Sequence, residues 1–147
     1  MESKRTQEQR TAATQAALVT AARGLFSTRG YAAVGTEELA RAAGVTRGAL
    51  YHQFGGKVEL FAAVVEQVEQ QLMATITEQM VAAGVDDPVA ALIVGVDAWM
   101  DACADPEVHQ ILLIDAPSAL GWERWREIAQ RYGAGLIEGT LAAGMET

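Results

Sequence analysis

One cysteine, three prolines and two histidines are all that 147 residues contain of these types, with three each of Trp, Tyr and Phe. A lone Cys103 rules out an internal disulfide and fits a reducing cytosol. No apolar run approaches the roughly 20 residues that span a bilayer. The opening MESKRTQEQR has no hydrophobic segment behind its charges, so it does not read as a secretory signal. With only His52 and His109 present, there is no Ser/His/Asp set, GxSxG, phosphate loop or metal-ligand cluster, which argues against an enzyme and against a metal or other cofactor. What is abundant is alanine, and half the residues are apolar. Few prolines and many alanines favour an all-α soluble protein. A chain of this size buries roughly two-thirds of its unfolded surface and needs no staple.

The charge is unevenly spread. Residues 1–57 carry eight Lys/Arg (Lys4, Arg5, Arg10, Arg23, Arg29, Arg41, Arg47, Lys57) against four Glu, a balance of +4; residues 58–147 carry three Arg against fifteen acids, a balance of −12; together they give the net −8. A basic segment can approach phosphate, while an acidic one is repelled from it.

Apolar spacing places a first helix over 9–29, with Leu18, Ala21, Ala22, Leu25 and Phe26 on one face and Gly30 as terminator. Thr36 is expected to N-cap a second helix that starts with Glu37 and Glu38 and stops at Gly44. Thr46 caps a short third helix through Phe54. From Lys57 to about Ala82 runs a long helix with the stripe Phe61, Val64, Val65, Val68, Leu72, Ile76 and Met80. Asp87-Pro88 and Asp105-Pro106 each read as an N-cap followed by proline at the first helical position. Pro117-Ser118 is expected to break the chain before a helix carrying Trp122 and Trp125, and Gly133 and Gly135 to lead into a last segment, Leu136–Met145. No β-alternation or internal repeat is visible.

Thr36 to Phe54, TEELARAAGVTRGALYHQF, satisfies the demands of a helix-turn-helix. Leu39, Ala43, Val45, Leu50 and Phe54 can pack two helices together, and Gly44 supplies the tight turn. The outer side of the second helix then carries Arg47 and Tyr51, with Gly48 and His52 on the adjacent row. Gly48 costs about 1 kcal/mol relative to Ala inside a helix, which close approach to a groove wall would explain. Thr36 and Thr46 stand at helix N-termini, where hydroxyl and N–H groups can bind a phosphate oxygen. Lys57 opposes the dipole of the helix it opens, and a bound phosphate would remove the conflict; an exposed lysine in water is the plainer alternative.

The run ALVTAARGLFSTRGYAAVGTEELARAAGVTRGALYHQFGGKVELF resembles the DNA-binding domain of the tetracycline-repressor-like (TetR/AcrR) transcriptional regulators, through its AxxAGV turn and its GxLYxxFxxK run. The resemblance implies that Thr36 and Lys57 hold the DNA backbone, that Tyr51 and His52 lie at phosphates or a groove edge, and that Arg47 and Thr46 contact bases or phosphates. Gly35 stands where the family commonly has an extended, often β-branched residue. An N-terminal three-helix DNA-binding domain, 1–57, is then followed by an antiparallel helical ligand-binding and dimerisation core, 58–147. Such regulators work on nucleoid DNA in a prokaryotic cytoplasm. Family members usually continue through two long C-terminal helices, and Thr147 falls inside the first, so the expectation is a core truncated there, with a different mode of dimerisation as the alternative.

In the acidic half, Trp99, Met100, Cys103, His109, Leu112, Trp122 and Trp125 could line an apolar cavity with a few polar anchors. For any one of them, ordinary core packing is the commoner reading. The resulting expectation is a repressor that binds a palindromic double-stranded operator as a homodimer and is released by a small apolar or aromatic effector. A dimer follows because one short helix reads too few base pairs. An activator or a ligand-independent regulator is the alternative, and an architectural DNA protein is disfavoured by the −12 of residues 58–147.

Overall fold

The computed structural model describes residues 6–145; Lys4 and Arg5 of the basic segment, the first half of the opening read for a signal, and Thr147 lie outside them. All regular structure among the described residues is helical: α1 (Gln7–Arg29), α2 (Thr36–Ala43), α3 (Arg47–Phe54), α4 (Lys57–Ala83), α5 (Pro88–Cys103), α6 (Pro106–Val108), a π-helical stretch (His109–Asp115), α7 (Ala116–Leu120) and α8 (Trp122–Met145). No helix among them is long and apolar enough to cross a membrane. The chain forms two compact units that divide between Val64 and Val65, inside α4.

In the first unit a capping box opens α1, Thr6 Oγ1 accepting from the Gln9 N–H at 3.2 Å and Gln9 Oε1 from the Thr6 N–H at 2.9 Å. Leu18, Ala22 and Phe26, four residues apart, are fully buried, as are Val34, Leu39 and Leu50. Phe26, Tyr31 and Phe61 form an aromatic cluster, with Phe61 edge-on to Phe26 at 5.2 Å and 4.7 Å from the Tyr31 ring. This cluster keeps the first turns of α4 with the first unit, so its limit lies seven residues beyond Lys57. Arg29 pairs with Glu38 and donates to the Ala33 carbonyl at 3.1 Å, tying the end of α1 to α2.

Thr36 is not the N-cap of α2. Gly35 holds that place in extended conformation (φ −95°, ψ 162°) without a side-chain cap, and Thr36 is the first helical residue. Glycine is tolerated at an N-cap, which releases the Thr36 hydroxyl for another partner. Gly44 is left-handed (φ 71°, ψ 28°) and returns its N–H to the Ala40 carbonyl, making the turn between α2 and α3. Thr46 does cap α3, its Oγ1 accepting from the Ala49 N–H at 3.0 Å.

In the second unit the α4 stripe Val65, Val68, Leu72 and Ile76 is buried. Asp87 caps α5 by accepting from the Ala90 N–H at 2.9 Å, and Asp105 caps α6 through the N–H groups of Glu107 and Val108. Two expected breaks are absent. Pro117 sits within the first turn of α7, directly after a π-helical stretch, and the chain turns only at Gly121 (φ 85°, ψ 154°). Gly133 and Gly135 lie inside α8 without positive φ. A glycine stops a helix by turning left-handed; here Ala129, Gly133, Leu136 and Ile137 keep one continuous helical face.

The π stretch explains how Pro117 is accommodated. The Ala116 N–H bonds the Ile111 carbonyl five residues back. The next donor in that series would belong to Pro117, which has none. The indole Nε1 of Trp125 donates instead to the Leu112 carbonyl at 2.9 Å.

Candidate functional site

The N-terminal unit gathers three of the residues expected at DNA. The Tyr51 hydroxyl lies 3.5 Å from Arg47 Nη2 and also shares a hydrogen bond with the Thr36 side chain. The Arg47 guanidinium stands 5.4 Å from the Tyr51 ring centre and 3.7 Å from Glu37 Oε1. The Arg47 hydrogen bond, then that of Thr36, pull the Tyr51 phenol below its ordinary pKa. Exposed Arg47, Tyr51, His52 and Gly48 therefore share one polar surface with the start of α2. A Cβ added to Gly48 would meet only Thr46 Oγ1 at 3.8 Å, so nothing inside the chain requires a glycine there.

Lys57 is only half-exposed, and its Nζ sits 4.0 Å above the Tyr31 ring. That aromatic seat steers the ammonium from below. Tyr31 was absent from the expected site, and burial raises its phenol pKa. No spacing rule ties Tyr31 to Lys57; the tertiary approach of the loop after α1 to the start of α4 brings them together.

The second unit contains a mainly apolar cavity of about 390 Å³, within the range of small-molecule sites. Trp99, Cys103, Leu112 and Trp125 line it, while Met100, His109 and Trp122 do not. Met100 and His109 are exposed, and Trp122 leans on the Trp125 ring at 5.0 Å with most of its surface in solvent. Their sequence neighbourhood is right, but the helix turns them outward. Met73, Met80, Leu136 and Ile137 take part instead. So does Glu69, the one buried charged side chain among the described residues. Burial raises its carboxyl pKa, and burial followed by the Glu69 charge raises that of the Cys103 thiol. A signal for Glu69 was present: it stands four residues after Val65 and three before Leu72, on the buried stripe of α4. Among the described residues no cluster of His, Cys, Asp or Glu gathers that could hold a metal ion.

Residues 18–64 match the family described as bacterial regulatory proteins, tetR family, and residues 89–147 match the tetracyclin repressor-like C-terminal domain. The chain belongs to the TetR family. The TetC protein of transposon Tn10 from Escherichia coli is 29% identical over 142 residues, covering 97% of this chain and 71% of TetC. The solved structure of a TetR-family transcriptional regulator from Pectobacterium atrosepticum is 32% identical with a TM-score of 0.68, covering 96% of this chain and 79% of the other. The complex of RolR with resorcinol shares the fold at a TM-score of 0.77 and 20% identity, over 95% of this chain and 67% of RolR. This TetR-family chain is thus a DNA-binding transcriptional regulator with an all-α fold and an N-terminal helix-turn-helix.

Proposed function

We propose that this chain is a ligand-responsive repressor that binds a palindromic operator as a homodimer and leaves it when a small apolar or aromatic molecule fills the cavity of the second unit. The observation that carries the reading is that cavity: about 390 Å³, mainly apolar, and walled in part by α4 residues Leu72, Met73, Ile76 and Met80. The same helix begins at Lys57, so an occupant that favours one setting of α4 has a route to the phosphate-facing lysine. RolR was solved with resorcinol, a small aromatic, which supports the same class of occupant here.

On the DNA side, Thr36, Thr46, Tyr51, His52 and Lys57 hold backbone phosphates, and Arg47 reads base edges where Gly48 permits close approach. Two such helices related by a dyad would sit one helical turn apart. Fluorescence anisotropy on DNA from upstream of the chain's own gene tests the reading. Saturable, salt-sensitive binding is expected, and the double substitution Tyr51→Ala, Lys57→Ala should abolish it. Unchanged binding by that double variant would sink the assignment of this surface.

A further inference from the structure

We infer that the molecule this cavity takes is an organic cation, held between the Glu69 carboxylate and the Trp99 and Trp125 rings. The inference rests on the reading of this cavity as the effector site and narrows what enters it. Glu69 is 8% exposed and lies in the cavity wall. No Lys, Arg or His lines the cavity, and the nearby thiol of Cys103 carries no positive charge. The adjacent acid on α4 shows the contrast: Glu66, one turn earlier, is paired by Arg131 at 2.5 Å. Glu69 has no such partner among the described residues.

A buried carboxylate without a counterion is costly, and a bound cation would relieve that cost more than any neutral group could. The two tryptophans favour the same charge. Indole faces attract cations, best when water is excluded; Trp99 is 41% exposed and offers the outer ring, while the less exposed Trp125 ring is anchored by its hydrogen bond to the Leu112 carbonyl. Leu72, Met73 and Ile137 then offer apolar surface to the body of the occupant. An anionic molecule would meet only the like charge of Glu69.

The test compares benzyltrimethylammonium with its uncharged isostere neopentylbenzene, read by Trp emission of the full chain. The ammonium is expected to bind at least about tenfold more tightly, a preference lost in Glu69→Gln, since coupling of close charge pairs reaches that size. Binding of neopentylbenzene is expected to be the same in both proteins. If the isostere binds as well as the ammonium, or if Glu69→Gln keeps the preference, the cation assignment is overturned while the cavity remains an effector site. If a neutral phenol such as resorcinol needs Glu69 and the ammonium does not, the site takes hydrogen-bond donors instead and the inference is again overturned. If none of these probes binds, the effector reading of the cavity fails with it.

Discussion

Trp125 fills a donor position that Pro117 leaves empty, its Nε1 lying 2.9 Å from the Leu112 carbonyl. The residue that interrupts the helical hydrogen-bond series and the residue that completes it belong to different helices. One proline and one tryptophan thus fix where α8 begins to pack against the segment before it. The same indole also walls the cavity, so packing and ligand contact share a side chain.

Trp125→Phe should therefore destabilise the chain by about 1–3 kcal/mol through the orphaned carbonyl, beyond any change of volume. Urea denaturation measures it. Pro117→Ala restores a backbone donor, so the double variant should recover part of the loss; strict additivity of the two changes would contradict the pairing.

Glu69 predicts a pH dependence of definite sign. Its folded pKa is raised by burial, so the folded state binds its proton more tightly than the unfolded state does. The associated stability is present below the ordinary glutamate pKa and is lost as pH rises through the raised value. Glu69→Gln should leave melting near pH 4 almost unchanged and raise the melting temperature at pH 7 to 8. Equal gains at both pH values would show that the carboxyl is not desolvated.

Gly48→Ala should act in opposite directions on fold and function. The space around Gly48 accepts a methyl, and α3 should gain about 1 kcal/mol of helix propensity. DNA affinity should fall, because the added Cβ stands between the helix and the groove. A variant that is more stable and binds equally well would remove close approach as the reason for this glycine.

Arg47→Ala and Lys57→Ala should separate by the kind of loss. Replacing Arg47 should cost about 1–3 kcal/mol on the preferred site and little on unrelated DNA, narrowing the specificity ratio. Replacing Lys57 should weaken both alike and lower the salt slope by about 0.9, one phosphate's worth. Anisotropy titrations across a salt series distinguish the two, and a salt slope unchanged by Lys57→Ala would exclude a phosphate contact.

The fold was legible wherever a residue acts on its own helix. Leu18, Ala22 and Phe26 declared one face, Asp87 and Asp105 declared two starts, and Thr46 declared a third. It was illegible where a distant partner changes a residue's meaning. Thr36 reads as a cap until Tyr51 engages its hydroxyl, and Pro117 reads as a break until Trp125 supplies its missing donor. Gly133 and Gly135 look like terminators because isolated glycine is a poor helix former, yet the apolar face around them keeps α8 continuous. At the cavity, residue type alone does not separate Trp99, Cys103 and Trp125, which line it, from Met100 and Trp122, which face outward. Glu69 is illegible for a related reason, since an acid is ordinarily solvent-facing and only the packing around α4 buries this one.

The stretch His109–Asp115 has a meaning for comparison and engineering as well. A π-helical turn is an α-helix carrying one surplus residue, so an ungapped alignment through 106–120 slips by one position against any relative without the surplus. Removing a single residue there would convert the stretch to ordinary α-helix and swing every side chain on one side of the deletion by about 100°. Leu112 and Leu113 would leave the cavity wall, and a shortening of one amino acid would redraw the binding surface without touching its chemistry.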